Sequence, residues 1–98
     1  MAEYYAVTWL WDEGYEVYIN AGSTGPVDMV AHDLETNEIT LIDVKTLRGR
    51  TGDPDRVSDL GGSGRTELQK ELNVRLLAFN PYTRKLSFVN HRETNEND

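Results

Sequence analysis

The stretch GPVDMVAHDLETNEITLIDVKT, residues 25–46, decides the fold of this chain. Residues 27–33 and 39–45 form two runs rich in β-branched and apolar side chains, and the polar segment LETNE separates them. This pattern predicts two antiparallel strands joined as a hairpin. Each run also contains charged residues, Asp28 in the first and both Asp43 and Lys45 in the second. We therefore expect the functional residues of this chain to lie on the hairpin.

Two registers of this hairpin remain open. Successive side chains of a strand point to opposite faces, so Asp43 and Lys45 share a face, roughly 7 Å apart along the strand. A four-residue loop over 34–37 places Asp28 opposite Asp43, whereas a two-residue loop over 36–37 places it opposite Lys45. Both registers bring the three charged groups to one face. A slip of one residue would send Asp28 to the other face.

At these positions the chain resembles the PD-(D/E)xK nuclease superfamily, and within it the small archaeal-type Holliday junction resolvases and the stand-alone phage nucleases of the VRR-NUC kind. The matching features, in family order, are Glu3 early in a helix, the loop AGSTG at 21–25, Asp28, and the triplet Asp43, Val44, Lys45. Their order and spacing are more specific than the short motif alone. Pro26 stands two positions before Asp28 instead of immediately before it. The match is firm over residues 3–46 and holds only in outline beyond them.

The resemblance implies a Mg²⁺-dependent endonuclease that hydrolyses phosphodiester bonds in DNA, with Mn²⁺ as a substitute metal. It implies that Asp28, Asp43 and the Val44 backbone carbonyl bind the metal. Lys45 would contact the scissile phosphate and orient the attacking water. Glu3 would act with these catalytic residues by holding a second metal or a metal-bound water, although an acid at that position is also favoured by the helix dipole.

Periodicity predicts the elements around the hairpin. A helix over 3–12 has Tyr4, Val7, Thr8 and Trp11 at helical spacing, widened by Leu10, and Gly14 is its stop signal. Residues 15–20 alternate as a half-buried strand. A short helix over 66–73 has Leu68 and Leu72 four residues apart, with Ser63 or Thr66 as its cap. Strands over 74–79 and 86–89 follow.

The predicted order is αβββαββ, an α/β (α+β) fold with a small mixed central sheet flanked by helices. The family named above has the same core order, so we expect a restriction-endonuclease-like core. The 98 residues suffice for one domain. Within it we expect a mobile loop over about 46–64, which is rich in glycine, and a frayed tail over 93–98.

Composition restricts the setting of the protein. It has no cysteine, no signal-peptide pattern and no apolar run near the ~20 residues needed to span a bilayer. We therefore expect a cytoplasmic protein without a membrane partner, in the host cytoplasm if it is phage-encoded. The segment DLGGSGRT over 59–66 lacks the lysine of a phosphate-binding loop, so no nucleotide cofactor is expected.

The net charge of −7 is unusual for a nucleic-acid enzyme, but the charges are sorted along the chain. Residues 1–44 contain nine acids and no lysine or arginine, whereas residues 45–70 contain six bases and four acids. An acidic region next to a basic one suits a divalent cation beside a phosphate. Solubility alone explains the total charge but not its sorting along the chain.

DNA is the expected partner, contacted by hydroxyl, amide and basic side chains near the proposed site. The candidates are Ser23, Thr24, Arg48, Arg50, Arg56, Arg65, Gln69 and Lys70. An ordinary turn explains Ser23 and Thr24 equally well, and surface solvation explains Gln69 and Lys70 nearly as well. His32 and His91 are expected to be structural, and the acids Asp33, Glu35 and Glu38 to solvate the hairpin end.

One small domain offers one site, so a homodimer is the simplest way to cut two strands, with Trp9 or Tyr18 at its interface. The expected substrate is branched, nicked or otherwise structured DNA, and a nicking or homing enzyme competes closely with a junction resolvase. The alternative function is a non-catalytic nucleic-acid or protein interaction module that keeps the nuclease fold. Splayed positions of Asp28, Asp43 and Lys45 would favour it.

Overall fold

The computed structural model describes residues 2–22, 24–47 and 64–89. Two helices and five strands follow one another as α1 (Ala2–Asp12), β1 (Tyr15–Ile19), β2 (Met29–Asp33), β3 (Ile39–Thr46), α2 (Glu67–Glu71), β4 (Arg75–Phe79) and β5 (Leu86–Phe88). This confirms the predicted order αβββαββ. No helix in the described ranges is long and apolar enough to cross a bilayer.

The five strands form one mixed sheet in the order β1-β2-β3-β4-β5. β1, β2 and β3 are an antiparallel meander, β4 runs parallel to β3, and β5 returns antiparallel to β4. Parallel pairing of β3 with β4 requires a crossover connection, and α2 lies within it. β4 is the most deeply buried strand, with Leu76, Leu77, Ala78 and Phe79 all buried. A strand enclosed on both faces needs such a continuous apolar run.

The hairpin adopts the register with the four-residue loop. Met29 pairs with Ile42 and His32 with Ile39. Beyond these pairs the Asp33 amide donates to the Glu38 carbonyl at one end and the Asp28 amide to the Ile42 carbonyl at the other. The loop is held by Asp33, whose Oδ1 accepts the Glu35 and Thr36 amides. Asp33, predicted to solvate the hairpin end, thus also has a structural role in the loop. His32 has the structural role expected of it, because its Nε2 is 3.0 Å from Asn37 Oδ1.

α1 covers one face of the sheet with only part of the predicted stripe, namely Val7 and Leu10. Its buried residues are Ala6, Val7 and Leu10, which pack on Met29, Ala31, Ile42 and Leu77. The predicted stripe was wrong for the two large aromatic residues: Tyr4 is 76% exposed and Trp11 is 59% exposed. Small side chains let the helix backbone approach the sheet. Tyr4 and Trp11 point away from it, whereas Tyr5 and Trp9 contact Phe79 and Phe88 of the sheet. Gly14 ends the helix region as predicted, with φ of +96°.

α2 is shorter than predicted and buries a different side chain. Thr66 is its cap and forms a reciprocal capping box with Gln69, so the alternative cap Ser63 is excluded. Leu68 and Leu72, expected to face the core, are 50% and 43% exposed. The buried residue is Gln69, 5% exposed. A polar contact, not an apolar one, fixes this helix against the sheet.

Candidate functional site

Asp28 lies just before β2, where the meander opens. Its backbone amide donates to the Ile42 carbonyl, and its carboxylate Oδ2 accepts the Val44 amide at 2.7 Å. The side chain thus replaces the next rung of the β2–β3 ladder and is fixed against β3. Asp28 is held in position by the same hairpin that the sequence indicates.

Asp43 and Lys45 extend from the same face of β3, as the two-residue spacing predicts. Lys45 Nζ lies 3.3 Å from Asp43 Oδ2, and the same oxygen accepts a hydrogen bond from Gln69 Nε2 at 3.0 Å. The Asp43 side chain is only 12% exposed, whereas that of Lys45 is 32% exposed. A nearly buried carboxylate is costly unless it is paired and hydrogen-bonded, and both partners are present here.

The Asp28 carboxyl is perturbed by its surroundings and by Asp43. Burial, and next the side-chain hydrogen bond with Asp43, raise the pKa of Asp28 from 3.8 to about 6. The Val44 amide lowers the same pKa, while the negative charges of Asp43 and Glu3 raise it further. An acid whose anionic form is disfavoured by a neighbouring anion is one that a bound cation would relieve. Carboxyl groups with a perturbed pKa cluster at functional sites.

A divalent metal fits the donors on this face. In an extended strand the amide and carbonyl of one residue point to the same side, so the Val44 carbonyl points towards Asp28 together with the Val44 amide. Two carboxylates and one carbonyl oxygen are hard ligands of the kind Mg²⁺ prefers, and Mg²⁺ retains several of its waters. Asp28, Asp43 and Val44 would hold it.

Glu3 is exposed in the first turn of α1 and does not complete a preformed triad. Among the described residues no three acidic or histidine side chains come close enough together to hold a metal ion. The Glu3 charge nevertheless contributes, as the smallest of the causes, to the raised pKa of Asp28, so it lies within electrostatic reach of that carboxyl group. The structure therefore leaves both interpretations of Glu3 open, as an additional acid of the site and as a favourable charge at the helix N-terminus.

Asn20 organises the loop before Asp28, and sequence reasoning missed it. Its Oδ1 accepts the Gly22 amide, and its Nδ2 donates to the carbonyls of Thr24 and Val27. Gly25 supports the turn with φ of +90°. An asparagine two residues before a glycine is a signal for such a turn and could have identified this role.

Gln69 is a predicted DNA contact for which surface solvation was nearly as good an explanation. Nε2 donates both to Asp43 Oδ2 and, at 2.8 Å, to the Pro26 carbonyl, so the side chain joins α2, the loop before Asp28 and β3. Surface solvation is excluded for Gln69 by its burial. The neighbouring Lys70 is exposed and lies 3.5 Å from Glu67.

Two further predicted DNA contacts, Thr24 and Arg65, lie within the described residues. Thr24 is exposed, and Arg65 Nη1 donates to the Val74 carbonyl at 3.3 Å, which gives Arg65 a structural contact at the start of α2. Ser23, Arg48, Arg50, Arg56 and His91 lie outside the described residues, as do most of the predicted loop over 46–64 and the predicted tail over 93–98. Thr46 itself belongs to β3.

Comparison with known proteins returned no match to a family model, to a curated protein or to a solved structure.

Proposed function

We propose that this protein is a Mg²⁺-dependent endonuclease that hydrolyses phosphodiester bonds in DNA, with Mn²⁺ able to replace Mg²⁺. The observation that supports this most directly is the contact between Asp28, Asp43 and Lys45 on one face of the β2–β3 hairpin. Two acids and a lysine in this arrangement are expected of a PD-(D/E)xK site. The mixed sheet, with a parallel strand after the hairpin, is also what a restriction-endonuclease-like core requires.

Asp28, Asp43 and the Val44 carbonyl would bind the metal ion, which supplies positive charge to the phosphoryl oxygens. The Lys45 ammonium has three donor hydrogens, and one of them is directed at Asp43 Oδ2. The remaining hydrogens are free to contact a phosphate oxygen and to orient the attacking water. This role requires the ammonium to reach solvent, and the Lys45 side chain is 32% exposed.

Gln69 holds the ligand Asp43 in its orientation. Its two hydrogen bonds fix Asp43 Oδ2 relative to the Pro26 carbonyl, so the loop that leads to Asp28 and the strand that carries Asp43 are tied at one point. Side chains that orient metal ligands are commonly as necessary as the ligands. Gln69 is thus proposed as a positioning residue and not as a DNA contact.

The substrate is proposed to be branched, nicked or otherwise structured DNA, cut by a homodimer in the manner of a Holliday junction resolvase or of a nicking or homing enzyme. Arg48, Arg50 and Arg56 follow Lys45 closely in sequence and are proposed to contact the DNA backbone, together with Ser23 and Thr24 of the AGSTG loop. Lys70 lies one residue from Gln69 and is exposed, so it is available for the same purpose.

The alternative is a non-catalytic interaction module with a nuclease-like fold. It would explain the Lys45–Asp43 ion pair as a structural contact. It gives no reason for a second carboxylate, that of Asp28, to be placed against Asp43 at the cost of a raised pKa. We therefore favour the catalytic proposal.

A cleavage assay tests the proposal. Supercoiled plasmid, linear duplex and a four-way junction are each incubated with Mg²⁺, Mn²⁺ or EDTA, using the wild-type protein and Asp43→Asn. Metal-dependent products with the wild-type protein alone support the proposal, and their pattern among the three substrates identifies the preferred geometry. If all three substrates stay intact with both metals, or Asp43→Asn cuts equally well, the catalytic proposal is wrong.

A further inference from the structure

β1 is an edge strand whose outward backbone groups can be identified from its bonds. The Asn20 amide donates to the Asp28 carbonyl and the Leu34 amide to the Gly14 carbonyl, so even-numbered positions bond to β2. In an antiparallel ladder the intervening residues direct both their amide and their carbonyl away from that neighbour. The backbone groups of Tyr15, Val17 and Ile19 therefore point outwards. Among the described elements no strand lies beyond them.

The same edge has large apolar side chains that the monomer does not bury. Ile19 is 56% exposed and Tyr18 is 55% exposed, although sequence alternation predicts Ile19 on the half-buried side. Edge strands are commonly protected by lysine, proline or a bulge, and the sequence YEVYI contains neither lysine nor proline. Its one charge is Glu16. This edge is suited to pairing with another strand.

We infer that β1 pairs antiparallel with β1 of a second copy of the chain, with Val17 opposite Val17 of the partner subunit. In this register each outward-pointing residue meets another: Tyr15 faces the partner's Ile19, and Ile19 faces the partner's Tyr15. All three pairs can exchange both backbone hydrogen bonds. The two sheets become one continuous sheet of ten strands around a two-fold axis.

Charge and strand length favour this register over those centred on Glu16 or Tyr18. Centring the pair on Glu16 would set two carboxylates directly opposite each other, which destabilises a strand pair. Centring it on Tyr18 would leave Tyr15 without a partner position inside the five-residue strand. The register centred on Val17 uses the whole strand and places Glu16 opposite the partner's Tyr18, where a carboxylate can accept from a phenol hydroxyl. The strand is thus complementary to itself in one arrangement.

The inferred dimer also positions the two candidate sites. A two-fold axis normal to the sheet maps each face onto itself, so both copies of Asp28, Asp43 and Lys45 lie on the same face of the ten-stranded sheet. Five strand spacings of ~4.8 Å and six residues of ~3.3 Å along the strands put the sites about 30 Å apart. Only this consequence rests on the proposed function. The pairing itself does not.

Sedimentation equilibrium and amide hydrogen exchange test the pairing without any cleavage assay. A five-residue strand buries less than a standard interface, so we expect a weak dimer, measurable between about 5 and about 500 µM protein. At high concentration the amides of Tyr15, Val17 and Ile19 gain protection from exchange. Those of Glu16 and Tyr18 are protected at every concentration, because they already bond to β2.

Ile19→Lys and Ile39→Lys form a matched pair of variants. Ile39 is 57% exposed, like Ile19, but lies on β3 away from the edge. Ile19→Lys is expected to weaken the dimer at least about tenfold, whereas Ile39→Lys leaves it unchanged. Val17→Pro removes an outward amide and should have the same effect, provided that circular dichroism shows it folded.

A protein that remains monomeric over the whole concentration range overturns the inference. So does a dimer that Ile19→Lys weakens no more than Ile39→Lys, because its interface then lies elsewhere. A dimer that forms normally while all cleavage is absent would retain the inference and reject the proposed function.

Discussion

Lys45 Nζ and Gln69 Nε2 both contact a single oxygen, Asp43 Oδ2, at 3.3 Å and 3.0 Å. The other side of the site is fixed differently, since Asp28 receives a backbone amide and, within residues 2–22, 24–47 and 64–89, no basic side chain. The two carboxylates are therefore unequal. Asp43 is neutralised within the chain, and Asp28 is the acid that is short of positive charge.

Asp28→Asn is expected to abolish cleavage and to raise the melting temperature of the metal-free protein at pH 7.5. The amide oxygen can still accept the Val44 amide, and the amide hydrogens can donate to Asp43 in place of the present repulsion. Thermal denaturation in EDTA and then in Mg²⁺ measures both effects. Mg²⁺ should stabilise the wild-type protein and not the variant. Equal stabilisation of both would show that Asp28 is not a ligand.

Asp43→Asn is also expected to abolish cleavage but, unlike Asp28→Asn, to lower stability. It converts two charge-assisted contacts of Oδ2 into neutral ones and leaves Lys45 without its counter-charge, a loss of about 1–2 kcal/mol. Urea denaturation of the two variants side by side gives the comparison. A stabilising effect of Asp43→Asn would mean that repulsion from Asp28 outweighs its contacts with Lys45 and Gln69.

The raised pKa of Asp28 predicts a specific pH dependence of stability in the absence of metal. The folded-state pKa is about 6, above the ordinary value of 3.8, so the folded protein binds the proton more tightly than the unfolded chain. The contribution is fully present below about pH 4 and is lost as the pH rises through about 6. The difference in unfolding free energy between wild type and Asp28→Asn should therefore change between pH 4 and pH 7 and level off above that. A constant difference would contradict the shift.

Lys45→Ala is expected to reduce single-turnover cleavage at least about a hundredfold while weakening DNA binding only slightly, because Lys45 is proposed to act in the transition state. Lys85→Ala is the matched control, since Lys85 is an exposed lysine that is not among the proposed DNA contacts. Binding titrations beside single-turnover rates separate the two effects. Parallel losses in rate and binding would make Lys45 a phosphate anchor only.

Gln69→Leu is expected to reduce cleavage and to destabilise the fold by about 1–3 kcal/mol, because the Pro26 carbonyl and Asp43 each lose a buried donor. Thr66→Ala removes the bond from the Gln69 amide to Thr66 Oγ1 while leaving Gln69 Nε2 in place, at a cost of about 1 kcal/mol. Rates measured well below both melting temperatures distinguish positioning from stability. If Thr66→Ala slows cleavage as much as Gln69→Leu does, the effect belongs to the helix and not to Gln69.

The hairpin and the shared face of its acids could be predicted from sequence, because side chains along a strand alternate strictly between the two faces of the sheet. Once two apolar runs flank a short polar loop, the face shared by Asp28, Asp43 and Lys45 follows for either loop length. The choice of the four-residue loop did not follow, because it depends on Asp33 accepting two loop amides. Chain order and strand positions were also predictable to within about two residues.

The buried faces of the helices were harder to predict from sequence, because hydrophobicity does not indicate which side chains allow close packing. On α1 the sheet selects Ala6, Val7 and Leu10, and larger aromatic residues at equally good spacing stay in solvent. On α2 the buried side chain is Gln69 and not Leu68 or Leu72, because the Gln69 amide donates to a buried carboxylate and to a backbone carbonyl. Such a long-range polar contact spans 26 residues and leaves no local pattern.

The parallel pairing of β3 with β4 has a consequence for the order of folding. Twenty-eight residues separate Thr46 from Arg75, against a four-residue loop between β2 and β3, so closing the crossover costs about 1.7 kcal/mol more chain entropy. The meander can form early from local contacts, whereas the β3–β4 contact and the docking of Gln69 come late. Asp28 and Asp43 thus meet before the side chain that orients them arrives. The site would then be fully assembled only when the whole sheet has folded.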